Sequence, residues 1–149
     1  DVLQLTAQPL TSEAFAAFGE VIDSRTSEHF MINSGRTRRH HDLAKVEVAG
    51  ESPRVLISIF VSQPVTVPLE LTFLERHPLG SQAFYPLTGG DWIAVVADDE
   101  DGRPGVPRAF LVPGIVGLQY GANVWHHPLM ALGEASASKT RSSWLSPRK

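Results

Sequence analysis

The 149-residue chain contains no cysteine, which excludes a disulfide framework, an iron–sulfur site and a thiol nucleophile. It lacks any run of about 18 apolar residues, the length that a membrane-spanning helix needs. No basic segment followed by an apolar one is found near the start, so the sequence predicts no secretory signal. These absences are compatible with a cytoplasmic protein, and we expect that location.

Basic charge is also scarce. The chain has 13 Lys and Arg against 16 Asp and Glu, which gives a net charge of −3 at neutral pH. Binding to a phosphate backbone favours a basic face, so we expect no nucleic-acid partner. The length is near that of one ordinary domain, and no internal repeat divides it. We therefore predict a single domain over residues 1–149, with residues 133–149 as an atypical polar tail.

One short helix is predicted, near the N-terminus. Thr11 is a typical N-cap residue, Glu13 lies in the first turn, and Gly19 follows the apolar residues as a terminator. We expect Phe15 and Phe18, together with Leu10, to form the buried stripe of this helix.

After this helix the pattern changes to short apolar runs separated by turn-forming residues, which include most of the 12 glycines and 11 prolines. Such punctuation predicts an all-β sandwich or barrel. An acidic run at 98–101 lacks the glycine and terminal glutamate spacing of a calcium loop, and we interpret it as a solvated hairpin tip. The clearest predicted strand covers residues 55–61, and the others cover 69–74, 92–97 and 109–112.

Two segments carry side chains suited to chemistry, and the first begins at Glu75. If residues 69–74 form a strand, Glu75 and His77 share one face because side chains alternate, and Arg76 points away from them. A carboxylate beside an imidazole can bind a divalent metal or act as an acid–base couple. An exposed glutamate and a histidine in a turn would have no such role, and this alternative stays open.

The second segment follows a predicted turn at Gly121 and Asn123. Trp125 offers a large apolar body, and His126 and His127 should point to opposite faces of the next strand. One histidine would then line a cavity while the other faces solvent or the core. A histidine pair alone is a weak indication of a site.

Together the two segments resemble the two sequence motifs of cupins. The spacing of both motifs is kept, although several residue types differ. In cupins these positions converge at one end of a barrel and bind a metal. The resemblance implies an all-β, cupin-like double-stranded β-helix, or jelly-roll barrel, with a short N-terminal helix. The matching positions are Glu75, His77, Gln82 and Gly89 in the first motif and Gly121, Asn123 and His126 in the second.

The metal ligands implied by this resemblance are Glu75, His77, Gln82 and His126. Two imidazoles and a carboxylate suit nickel, zinc, manganese or iron. Gln82 stands where cupins usually carry a glutamate, which weakens the site. A metal-free pocket is therefore the alternative to a metal centre.

A closer resemblance, to the ureidoglycolate lyases, covers roughly residues 3 to 132. It rests on segments that occur in the family's order and spacing. It implies cleavage of ureidoglycolate to glyoxylate and urea in the breakdown of allantoin and purines, a homodimer, and a preference for nickel. The chain departs from the family at 133–149, where another apolar strand is usual, which puts the last barrel strand and the dimer edge in doubt. The resembling segments are 10–15, 18–22, 32–35, 41–44, 75–84 and 123–129.

The reaction needs a base for the substrate hydroxyl and an acid for the departing nitrogen. The candidate catalytic residues are Glu75, His77, His126 and His127. A metal held by His77 and His126 would lower the hydroxyl pKa. Glu75 is then a further ligand or the base, and His127 is a weaker candidate for the acid.

The substrate carboxylate needs a cationic partner, and a basic cluster lies at residues 36–41. We interpret this cluster as a loop over the mouth of the site, with a solvated surface loop as the alternative. Arg38, Arg39 or Lys45 would pair with the carboxylate, and Asn33 would bind the ureido group. The other predicted substrate-binding residues are Gln82, Phe84 and Trp125.

Three other interpretations remain open. Another cupin enzyme, such as a sugar epimerase, an isomerase or a dioxygenase, would share the fold, which does not settle function. A small-molecule-binding cupin without catalysis would fit the replacements in the first motif. A purely structural β domain fits least well, because Glu75, His77 and His126 would be costly to bury without partners.

Overall fold

The structure is a computed structural model that describes residues 2–133 and the backbone of residues 144–147. Fourteen strands and one short helix, α1 (Ser12–Phe15), account for its regular secondary structure. The strands are β1 (Leu5–Pro9), β2 (Gly19–Ile22), β3 (Phe30–Ile32), β4 (Thr37–Arg39), β5 (Glu70–Leu71), β6 (Gln82–Phe84), β7 (Trp92–Ala97), β8 (Asp99–Glu100), β9 (Arg103–Pro104), β10 (Arg108–Val112), β11 (Gly117–Tyr120), β12 (Trp125–His126), β13 (Met130–Ala131) and β14 (Trp144–Pro147).

Two main sheets carry the fold. The larger has the order β12-β7-β10-β1-β14-β5, and β13 also pairs with β7. The smaller has the order β2-β11-β6, and the pairs β3–β4 and β8–β9 form separate hairpins. Strand pairs are antiparallel apart from β1 with β10 and β14 with β5. This architecture confirms the predicted all-β fold of the cupin jelly-roll type.

Strand β7 lies at the centre of the core and is buried along its whole length. Trp92, Ala94 and Val96 face a cluster that joins the two main sheets. Ile93 and Val95 face a second cluster on the other side of the larger sheet. A strand covered on both faces needs an uninterrupted apolar run, which explains the sequence of residues 92–97.

The predicted helix exists but is shorter than expected. Thr11 caps it by accepting a hydrogen bond from the Ala14 backbone at 3.0 Å, and the helix ends at Phe15. Phe15 and Phe18 are buried against Phe110, with ring centroids 5.5 Å and 6.3 Å from it. The predicted burial of Phe15 and Phe18 is therefore confirmed, although Phe18 lies beyond the end of the helix. Leu10, which precedes the helix, is half-buried and packs against the same cluster.

The clearest predicted strand, residues 55–61, is wrong: the segment forms no strand. Ile57 is 96% exposed, and Val55, Leu56, Ile59 and Val61 are also exposed. Alternating β-branched residues express a local preference, but a strand needs a backbone partner, and none of the described segments supplies one. Residues 69–74 are likewise only partly a strand, since β5 covers Glu70–Leu71.

The tail prediction needs a correction too. Residues 144–147, expected to be weakly structured, form β14 between β1 and β5. Trp144 is a residue type that favours strands, and β1 pairs with this segment along the edge that β10 leaves free. Residues 134–143 and 148–149, the rest of the predicted polar tail, lie outside the described residues. The predicted hairpin at the acidic run is present as β8 and β9.

Across the residues that the structure describes, no helix has the length and apolar character needed to cross a membrane.

Candidate functional site

The two chemically promising segments meet side by side. Glu75 and His126 form an antiparallel pair, in which each backbone N–H donates to the other's carbonyl at 2.8 Å. His126 belongs to β12, whose other edge pairs with β7. In the turn that precedes β12, the Asn123 N–H donates to the carbonyl of His77 at 3.0 Å. The backbone thus fixes the two segments against each other.

Three side chains converge above this pairing. Ligand atoms of Glu75, His77 and His126 all lie within 4.8 Å of one another. Glu75 Oε1 is 3.6 Å from His126 Nε2, and the centroids of the two imidazole rings are 5.2 Å apart. The His126 side chain is 3% exposed and that of Glu75 43%, so the group has a buried floor and an open side.

The protonation state of His126 follows from its contacts. Its Nδ1 lies 3.0 Å from the Val124 carbonyl oxygen, which can only accept, so Nδ1 carries the proton. Burial lowers the pKa of His126 below its ordinary value, and the nearby His77 adds to this effect, whereas the Val124 hydrogen bond and Glu75 oppose it. The ring is therefore neutral at pH 7, and the contact with Glu75 is not an ion pair.

The neutral ring places an Nε2 lone pair opposite a carboxylate. His126 Nε2 has no hydrogen-bond partner although it is buried, and the same holds for Gln82 Oε1. Buried polar atoms without partners are rare in folded proteins. A cation between the lone pair and the carboxylate would satisfy both groups, and two imidazoles with a carboxylate are suitable ligands for a divalent transition metal. The residues present therefore fit a metal.

An aromatic wall supports the site. The Tyr120 ring stacks on His126 with centroids 4.5 Å apart and planes 11° from parallel. Burial raises the pKa of the Tyr120 phenol far above its ordinary value, so this side chain stays neutral. Gln82 pairs with Tyr120 across the smaller sheet, and Phe84, two residues on, contacts Tyr120 and Trp92. Gln82 and Phe84 thus share the inner face, as predicted.

His127 and Trp125 lie on the other side of the β12 segment. His127 packs its ring 5.4 Å from Phe73, and its Nδ1 contacts the Pro128 carbonyl oxygen at 2.9 Å. Trp125 donates from Nε1 to Asp99 at 2.8 Å. The opposite orientation of the neighbouring histidines is as predicted, and neither His127 nor Trp125 belongs to the converging group.

The predicted anion-binding residues are divided between two places. Arg38 and Arg39 are exposed on β4, and Asn33 lies at the tip of the β3–β4 hairpin, where it donates to Thr37 at 3.3 Å. None of the described contacts joins these three residues to the converging group. Lys45 is connected to the site through the backbone. The segment that follows it pairs with the loop between His77 and Gln82, where Val48 bridges to Gly80.

The sequence indicated no role for Tyr120, and it missed the roles of two other residues. Asn123, expected only to permit a turn, has a positive φ of 66° and binds the His77 backbone. Asp99, expected to be solvated, accepts hydrogen bonds from two residues of the site segments. An asparagine just before a predicted strand can indicate a left-handed turn residue. Nothing local in the sequence indicates the partners of Asp99.

Fold and site together define a cupin-type protein, a jelly roll in which strand β12 and the segment bridged to it bring two imidazoles and a carboxylate together for a metal. Residues 2–139 match the sequence model of the ureidoglycolate lyase family, and the chain belongs to that family. Relatives named ureidoglycolate lyase include one from Chelativorans sp. (strain BNC1), 53% identical over 88% of this chain and 79% of its own length. One from Rhizobium leguminosarum bv. trifolii (strain WSM2304) is 53% identical over 89% of this chain and 80% of its own. Ureidoglycolate lyase 1 of Rhizobium meliloti (strain 1021) is 52% identical over 89% of this chain and 78% of its own length.

Proposed function

We propose that this protein is a ureidoglycolate lyase, which splits ureidoglycolate into glyoxylate and urea during the breakdown of allantoin. Family membership over most of the chain supports the activity. The observation that carries the site is the convergence of Glu75, His77 and His126 within 4.8 Å on two paired segments.

The reaction is an elimination that moves one proton. The substrate hydroxyl loses its proton, the carbon–oxygen bond becomes a carbonyl, and the carbon–nitrogen bond breaks as the urea nitrogen gains a proton. Glu75 is the candidate base because its carboxylate is partly exposed on the open side of the group. Having taken the hydroxyl proton, the same carboxyl can return it to the departing nitrogen, so one residue completes the transfer.

His126 serves this site as a fixed acceptor. With its proton on Nδ1 and directed to Val124, it offers a lone pair and cannot donate from Nε2. His127 remains the alternative acid, although its ring lies against Phe73 on the other side. His77 and His126, with Gln82 as a weaker ligand, would hold a divalent metal, for which nickel is our choice, and Glu75 would be a further ligand only if it is not the base. Such a metal acts as a Lewis acid that lowers the pKa of a bound hydroxyl.

Lys45 is our preferred partner for the substrate carboxylate. Its backbone N–H donates to Glu20 at 3.1 Å, and its carbonyl accepts from the buried Gln119 at 2.6 Å. These contacts anchor the backbone of Lys45, and the segment that follows it pairs with the loop between His77 and Gln82. Arg38, Arg39 and Asn33 would reach the substrate only if the β3–β4 hairpin folded over the site.

The decisive assay follows glyoxylate release from ureidoglycolate by pure protein, after chelation and after addition of nickel. Glu75→Gln should lower kcat by about 10²- to 10⁴-fold, the usual contribution of a general base. Glu51→Gln is the matched control, because Glu51 is exposed and has none of the described side-chain contacts. Absence of turnover by the wild type under every metal condition would refute the proposed activity, and full activity of Glu75→Gln would refute the assigned base.

We also propose that the protein is a cytoplasmic homodimer, in line with the family resemblance. Light scattering coupled to size-exclusion chromatography should give twice the chain mass of 16.3 kDa. A mass of one chain at micromolar concentration would contradict the dimer.

A further inference from the structure

We propose that Arg76, Asp99 and Trp125 form a positioning clamp on the outer side of the site, which holds the two ligand-bearing segments in register. None of the three reaches the converging ligands. They are positioning residues, and their role rests on the proposed function of that site.

The clamp begins with the alternation of side chains along both segments. Glu75 and His77 point to the site, so Arg76 between them points outward. His126 points to the site, so Trp125 before it also points outward. The Arg76 guanidinium carbon lies 4.8 Å from the centre of the Trp125 ring system, in a cation–π contact. The two segments therefore touch on both faces: the candidate ligands meet on the inner face, and Arg76 meets Trp125 on the outer face.

Asp99 joins the two outward side chains through a single atom. Its Oδ1 accepts from Arg76 at 2.7 Å and from Trp125 Nε1 at 2.8 Å. Its Oδ2 accepts from the Gly102 backbone at 3.3 Å, which ties the carboxylate to the turn of its own hairpin. The Trp125 hydrogen bond, more than any other contact, holds the pKa of Asp99 below its ordinary value. A charged carboxylate therefore bridges the two segments.

Asn123 links the clamp to a ligand-bearing backbone. Its side-chain oxygen accepts from Arg76 at 3.1 Å, while its own N–H donates to the His77 carbonyl. The clamp therefore acts on the segment containing His77 at two points, one through the side chain of Arg76 and one through the main chain.

Partial exposure argues that the clamp sets geometry more than it adds stability. The side chains of Arg76 and Asp99 are 29% and 25% exposed, and ion pairs so open to solvent contribute little to the free energy of folding. Outer partners that orient metal ligands, in contrast, commonly change metal affinity by about 10- to 100-fold. The clamp therefore predicts local effects on the ligand-bearing segments that are separable from global stability.

Amide hydrogen exchange, followed by NMR in the protein without added metal, tests this directly. The Glu75 and His126 amides pair the two segments, and those of β7 and β10 report global unfolding. Asp99→Ala and Trp125→Phe should speed exchange at Glu75 and His126 by about fivefold or more and leave β7 and β10 unchanged. Asp98→Ala is the matched control on the same acidic run. Trp125→Phe keeps an aromatic side chain but removes the indole N–H donor together with the five-membered part of the ring, so it decides the test should Asp99→Ala fold poorly.

Nickel titration by calorimetry gives an independent readout. Both clamp variants should bind Ni²⁺ about tenfold more weakly than the wild type and Asp98→Ala. Equal exchange at Glu75 and His126 in clamp and control variants, or a parallel rise at every amide, would overturn the proposal. Were the wild type to bind no Ni²⁺, the exchange data alone would decide. Absence of ureidoglycolate turnover with the exchange pattern intact would refute the lyase and not the clamp.

Discussion

Two apolar segments with similar sequences should respond in opposite ways to truncation. Val95 lies within β7 and is fully buried, whereas Ile57 lies in the segment that forms no strand and is 96% exposed. Val95→Ala removes two methyl groups, which costs about 1.6 kcal/mol in transfer free energy at about 0.8 kcal/mol per group. The cavity that remains adds about 1 kcal/mol. We therefore expect Val95→Ala to lower the free energy of unfolding by about 2–3 kcal/mol.

Ile57→Ala removes more carbon atoms but should cost less than about 0.5 kcal/mol, as is usual for exposed positions. Urea unfolding followed by tryptophan fluorescence measures both changes, provided that the slope with denaturant stays constant. The comparison is made at two protein concentrations, so that a cost caused by subunit contact becomes visible. An Ile57→Ala loss as large as that of Val95→Ala, independent of concentration, would refute the placement of the 55–61 segment.

Two further outcomes follow from the structure. Burial lowers the pKa of His126, so the unfolded chain binds its proton more readily, and stability should fall as pH drops below about 6.5. His126→Gln should flatten that fall in guanidinium unfolding between pH 7.5 and 5.5, and an unchanged slope would contradict the assigned shift. A Cβ at Gly19 would clash with the Gln119 carbonyl oxygen, so Gly19→Ala should lower Tm by several degrees more than Gly89→Ala, where the space is open. Equal Tm values would contradict this packing.

The sequence predicted local features well and tertiary contacts only where a family pattern supplied them. Alternation placed Glu75 with His77 and separated His126 from its neighbour, and the structure agrees. The same reasoning made residues 55–61 the clearest strand, because a pattern of apolar residues cannot report whether a partner strand exists. The partners of Asp99 were not predictable, since Arg76 and Trp125 are distant in the chain and meet it only in the folded state.

The burial of β7 on both faces has a consequence for how the molecule loses its structure. Trp92, Ala94 and Val96 belong to one apolar cluster, and Ile93 and Val95 belong to the other. Neither cluster can unfold without exposing one face of this strand to water. The two clusters should therefore unfold cooperatively. The described domain should therefore melt in one cooperative step, with calorimetric and van't Hoff enthalpies that agree.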